Sequence, residues 1–139
     1  MPENDELSRL MVMIEQYKEQ LNQIDMQMSY LQQAINEYNK SKITIQNIEN
    51  KDKNIDMLLP IGGGSYIDAK AKDPSKILFD IGAGYVVEKE TSDALKKINE
   101  RIKELEENMD KIDQIRKNTQ REASEVYQKA QKMYQEQNE

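Results

Sequence analysis

The chain contains no cysteine, no histidine, no tryptophan and a single phenylalanine. Without Cys there can be no disulfide, zinc ribbon or thiol nucleophile, a pattern that fits a reducing compartment. Without His the chain lacks the usual metal ligand and the side chain that titrates nearest neutral pH. Aromatics make up 6% of the residues, too few to wall an enclosed cleft. No stretch approaches the roughly 20 apolar residues of a membrane span, and no apolar run of signal-peptide type opens the chain. The net charge is -6, with basic and acidic residues interspersed, so the clustered Lys and Arg that hold nucleic-acid phosphates are missing. The expectation is a soluble, cytoplasmic chain whose partners include neither nucleic acid nor membrane.

What is present is a periodicity. Leu7, Leu10, Ile14, Tyr17, Leu21, Ile24, Met28, Leu31, Ile35 and Tyr38 form one ladder in alternating steps of three and four, with Ile45 one heptad further on. A second ladder holds Leu95, Ile98, Ile102, Leu105, Met109 and Ile112, then Ala123, Val126, Ala130 and Met133, with Arg116 and Thr119 interrupting it. Such spacing averages about 3.5 residues and places each set on one stripe of a helix, the signature of a left-handed coiled coil. With 33% charged residues, the rest of each helix is a solvated face. If the chain turns back between the ladders, partners are residues whose numbers sum to 140: Ile45 with Leu95, Ile35 with Leu105, Met28 with Ile112, Ile14 with Val126, Leu7 with Met133. The first helix is expected to run to about Asn50, with start signals at Pro2, Asn4 and Asp5. The second begins at Thr91-Ser92-Asp93, any of which can cap it.

Between the helices the character changes. All five Gly and two of the three Pro lie within residues 55–90. Leu59-Pro60-Ile61-Gly62-Gly63-Gly64 has an echo in Phe79-Asp80-Ile81-Gly82-Ala83-Gly84, and strand-like residues follow each. Each unit reads as strand, glycine bend, strand, and Asp73-Pro74-Ser75 supplies the turn that joins them. Lone hairpins are marginal in water and expose pairing edges, so these predict assembly with other chains. The segments are 1–50 for the first helix, 51–90 for the hairpin platform and 91–139 for the second helix, one domain in total. The fold class is mainly α: a long antiparallel two-helix coiled coil whose inner ends are joined by two β-hairpins.

A long helix, a Leu-Leu-Pro-Ile-Gly-Gly-Gly-Ser-Tyr-Ile segment at 58–67, an Ile-Gly-Ala-Gly-Tyr-Val-Val-Glu-Lys segment at 81–89 and a returning helix resemble prefoldin, specifically its archaeal α-type subunits. The likeness covers essentially the whole chain, and two hairpins rather than one point to the α type. The resemblance implies a hexamer of two α and four β subunits whose hairpins form an intersubunit double β-barrel, with six coiled-coil arms around a cavity. It implies an ATP-independent holdase that binds unfolded proteins and passes them to a group II chaperonin. No cofactor is implied.

The candidate platform residues are Leu58, Leu59, Ile61, Gly62, Gly64, Tyr66, Ile67, Ile77, Phe79, Ile81, Gly82, Gly84 and Val86. The candidate client-binding residues lie at the free ends, where Met11, Val12, Met13, Tyr127 and Tyr134 fall off the seam beside Leu7, Leu10, Val126 and Met133. Exposed apolar patches mark interaction sites, and Met adapts to surfaces of varied shape. The plainer reading of these residues is a broadened or frayed seam. Met26 and Tyr30 are incidental or line an inner face. The polar layer at Arg116 and Thr119, opposite Leu21 and Ile24, is expected to loosen the helix pair, with Ile115 rotating in to cover the gap. Gly62-Gly63-Gly64 lacks the Lys-Ser/Thr and following helix of a phosphate loop, so no enzyme activity is expected. The alternative function is a coiled-coil scaffold or spacer that assembles through its hairpins and holds no client.

Overall fold

The computed structural model describes the backbone of residues 2–138 and the side chains of 5–138. The element order is α1 (Pro2–Ile48), β1 (Ile55–Gly62), β2 (Ser65–Ala71), β3 (Lys76–Gly82), β4 (Tyr85–Glu90) and α2 (Thr91–Gln137). The chain divides into two compact units, Met1–Ala34 with Leu105–Glu139, and Ile35–Glu104. The side chains of Pro2 and Asn4, read as helix-start signals, lie outside the described residues.

In the unit that joins 2–34 to 105–138, the start of α1 lies beside the end of α2, as the fold-back requires. Lys129 pairs with Glu6 at 3.6 Å, and Arg116 Nε donates to Asp25 Oδ1 at 2.8 Å. The residue numbers sum to 141 for Asp25 with Arg116 and to 135 for Glu6 with Lys129, against 140 for facing seam residues. Every ladder residue here is buried or half-buried. The heptad also continues without a break through the polar layer. Thr119 is buried, at 9% exposure, and its hydroxyl donates to the Ile115 carbonyl one turn back at 2.8 Å. Ile115 is 54% exposed, so it does not rotate in to fill the seam. The reason is steric and electrostatic together: a Thr fits a Val-sized site once its hydroxyl is satisfied by its own helix.

In the unit of 35–104, α1 ends two residues before Asn50, and Glu49 still donates to the Ile45 carbonyl at 2.9 Å. Ile45, Ile98 and Ile102 form the core, with Tyr38 and Leu95 packed against it from the helices. Ile98 is 1% exposed, and full burial of such a side chain is worth about 1.5–3 kcal/mol.

Two separate two-stranded antiparallel sheets fill the rest of this unit, β1 with β2 and β3 with β4. Gly62 pairs with Ser65 and Gly82 with Tyr85, leaving two-residue loops at Gly63-Gly64 and Ala83-Gly84. All four loop residues have positive φ, between 52° and 79°, the geometry of the hairpin turn that matches strand twist. An added Cβ at these glycines would meet no atom, so backbone conformation rather than space selects glycine. Each hairpin also carries a register shift just before its turn, between Pro60 and Gly62 and between Asp80 and Gly82. The echo in the amino-acid sequence is therefore an echo in backbone geometry.

The Asp73-Pro74-Ser75 turn joins the hairpins as expected, closed by the Lys76 N–H donating to the Asp73 carbonyl. The Asp73 carboxylate accepts from both the Ser75 hydroxyl and its N–H, and these bonds hold its pKa below the ordinary carboxylate value. Thr91 starts α2 but spends its hydroxyl on the Pro74 carbonyl at 2.7 Å, while its N–H donates to Ser75 at 2.8 Å. A residue expected to cap the helix ties the interhairpin turn to it instead.

Candidate functional site

At the free ends of the helices, Leu7, Met11 and Ile14 from α1 and Tyr127, Ala130, Gln131 and Tyr134 from α2 line one open groove. Its chemistry is almost wholly apolar. Heptad geometry explains the composition: Leu7, Ile14 and Ala130 belong to the seam and make the floor. Met11, Tyr127 and Tyr134 flank it as walls, at 59%, 53% and 62% exposure. Gln131 Nε2 donates to the Tyr127 hydroxyl one turn back at 3.2 Å.

The groove gathers Leu7, Met11, Tyr127 and Tyr134 from the nine expected client-binding residues. Leu10 is buried in the seam and presents nothing. Val126 is a half-buried seam residue. Val12 and Met13 are exposed but do not line this groove; Val12 borders a shallower, more polar hollow with Glu15, Lys18 and Glu19. Met133 borders a different, charged hollow with Glu6, Lys129 and Glu136. The heptads signal the floor residues Ile14 and Ala130 as packing residues, and the groove shows that they also face outward.

The second candidate site is the pair of hairpins. Leu58, Leu59, Ile61, Tyr66 and Ile67 on the first, and Ile81 and Val86 on the second, are all exposed. Leu78 and Tyr85, at 73% and 70%, belong with them, beyond the residues expected from the sequence. Ile77 and Phe79 behave differently. They are half-buried and pack against Ile45, Ile98 and Ile102, because period-two alternation turns them toward the helices and Leu78 away. Since each sheet has two strands, every strand has one edge without a sheet partner. Cross-strand ion pairs at Asp56–Lys70 (3.8 Å) and Lys76–Glu88 (3.7 Å) lie on exposed surface and contribute little.

Among the described residues no group of three or more acidic, His or Cys side chains could hold a metal ion. Gly62-Gly63-Gly64 ends a strand and opens another, so the glycine run shapes a hairpin. Among the described residues no helix is long and apolar enough to cross a membrane.

Comparison with known proteins places this geometry. The chain is 39% identical over 77 residues to prefoldin subunit alpha of Archaeoglobus fulgidus, a match covering 55% of this chain and 56% of that protein. It is 36% identical over 98 residues to prefoldin subunit alpha of Nitrosopumilus maritimus, covering 66% and 68%. Prefoldin subunit alpha of Methanococcus maripaludis matches at 28% over 118 residues, 84% of this chain and 80% of that protein. Among solved structures, a cryo-EM structure of filamentous PFD from Methanocaldococcus jannaschii superposes with a TM-score of 0.61 at 21% identity, covering 88% of this chain and 96% of that one. That likeness speaks to fold alone. The family model for prefoldin subunits matches residues 17–136, so this chain, with its two heptad helices and paired hairpins, belongs to the prefoldin family, among the alpha subunits of archaea.

Proposed function

We propose that this chain is the α-type subunit of an ATP-independent holdase that grips unfolded polypeptide at its helix ends. The observation that carries the reading is the apolar groove of Leu7, Met11, Ile14, Tyr127, Ala130 and Tyr134, open at the free ends of the helix pair. A single groove of this kind binds weakly and with little selectivity, since Met and Tyr adapt to many apolar side chains. Several copies on one platform convert later contacts into intramolecular ones, which raises avidity without a strong site. Preference for unfolded over native clients follows, because folding hides the apolar segments being gripped. Release to a group II chaperonin in the cytoplasm then requires no fuel in this subunit.

The hairpins supply the platform. Their exposed Leu, Ile, Val and Tyr side chains and open strand edges suit burial between subunits, in a shared barrel of two α and four β subunits. Ile77 and Phe79 would anchor the second hairpin to its own helices rather than to a neighbour. The reading as a spacer without clients makes the opposite prediction in one experiment. Removal of the first dozen and last dozen residues should leave the native mass formed with a β-type partner unchanged, and should abolish suppression of aggregation of a denatured test protein. If the intact assembly shows no suppression at all, the spacer reading stands instead.

A further inference from the structure

Every side-chain sulfur in this chain is a methionine thioether: eight Met stand in the sequence and no Cys. A thiolate is the usual first target of a peroxide, so with none present oxidation falls on Met and is sorted by exposure. Among the described residues Met28, Met57, Met109 and Met133 are half-buried. Met11, Met13 and Met26 are exposed, at 59%, 38% and 72%. Of these three, Met11 alone lines the helix-end groove, where it stands with Tyr127 and Tyr134 beside the floor of Leu7, Ile14 and Ala130. Met26 lines a separate groove with Tyr30, Leu31 and Ile112. Leu10, next to Met11, holds the seam at 7% exposure, so a changed side chain at position 11 leaves the helix pair closed.

We propose that Met11 is an oxidation site for hydrogen peroxide and related two-electron oxidants, and that its sulfoxide weakens the grip of the groove; the inference rests on the holdase reading above. The Met11 sulfur attacks one peroxide oxygen with a lone pair. An S–O bond forms as the O–O bond breaks, and the departing hydroxide takes the proton of the transferred oxygen and leaves as water. The sulfur gives up two electrons and the peroxide gains them. The product carries a polar acceptor oxygen on a wall that an apolar client segment covers. Covering it strips its water without supplying a donor, which opposes docking. The same exposure that admits the oxidant therefore gives the product its effect. A sulfoxide reductase restores the thioether with a dithiol as reductant, releasing water and a disulfide, so the change is reversible.

The test treats the full chain with hydrogen peroxide, removes the oxidant with catalase and assembles the chain with an untreated β-type partner. Peptide mass spectrometry should find sulfoxide at Met11 before Met28, Met57, Met109 and Met133. The dissociation constant for a denatured test protein should rise about tenfold at unchanged native mass, as a polar group covered without a partner implies. In Met11→Leu the same treatment should leave the constant at that variant's own untreated value, whereas Met26→Leu should shift as the unaltered chain does. Met11→Gln, a polar amide in place of the thioether, should raise the constant without peroxide, and it alone decides if treatment disturbs the native mass. Equal shifts with and without Met11, unchanged binding in Met11→Gln, or Met11 oxidised no sooner than the half-buried methionines overturns the proposal while the holdase reading survives. An untreated assembly that never binds the test protein overturns both.

Discussion

The helix pair around Ile98 and the helix pair around Arg116 are written in the same heptad but built to different standards. Around Ile98 the seam holds Ile45 and Ile102 at 5% and 8% exposure, backed by Ile77 and Phe79 from a hairpin. Around Arg116 only two helices share the burial, and two of the four seam positions on that layer are polar. There Thr119 satisfies itself on its own helix and Arg116 reaches out to Asp25, which is 53% exposed. Around Ile98 a third layer of structure adds to the burial, as Ile77 and Phe79 of β3 pack on the seam. The seam around Ile98 is accordingly the better buried of the two.

The sharpest way to break this contrast is Ile98→Ala. It should cost about 2–5 kcal/mol in reversible unfolding of the assembled protein. Thr119→Ala should cost well under about 1 kcal/mol, since the site is polar and two-layered. Equal losses at the two positions would erase the distinction. Next in size, Arg116→Leu combined with Thr119→Leu should stabilise the helix pair by about 1–2 kcal/mol through restored apolar burial. Amide exchange near Leu21 and Ile24 should slow accordingly; no change would show that the polar layer is not a weak point.

Smaller effects come from the hairpin turns. Gly63→Ala should destabilise by about 1 kcal/mol, because a side chain at φ 58° crowds its own carbonyl. The equivalent position in the other hairpin already bears that strain, as Ala83 has φ 52°. Ala83→Gly should accordingly shift stability by less, as relief of strain is partly offset by unfolded-chain entropy. The smallest effect is at Asp73. Its folded pKa is depressed, so its stabilisation is fully present above the ordinary carboxylate pKa and is lost as pH falls through the folded value. Asp73→Asn should flatten that acid limb of a stability-versus-pH curve and slightly lower its neutral plateau, since the carboxylate's contribution is lost there.

Much of this molecule was legible before its structure because two periods dominate it. The ladder from Leu7 to Ile45 and its return from Leu95 to Met133 carry the helices, and the sum of residue numbers places Asp25 near Arg116. The twenty-residue echo of the glycine motif carries the hairpins. What escaped was mostly decided by where a polar hydrogen bond could be satisfied. Thr91 looks like a cap but bonds to Pro74, a residue seventeen positions away that no local pattern connects to it. Ile115 looks like better seam material than Thr119, yet moving it inward would break a heptad that the Thr hydroxyl allows to continue. At the helix ends, Leu10 and Met11 read alike by composition. Their separation into buried seam and exposed wall depends on which side of the stripe each falls.

Suppression of aggregation of a denatured test protein, followed by light scattering, tests the central claim most directly when Met11→Glu and Tyr127→Glu are combined in the assembled protein. Charges on the two groove walls should abolish most of the suppression while the native mass stays that of the unaltered assembly. Full suppression at unchanged mass would contradict the assignment of the helix-end groove as the place where unfolded chains are held.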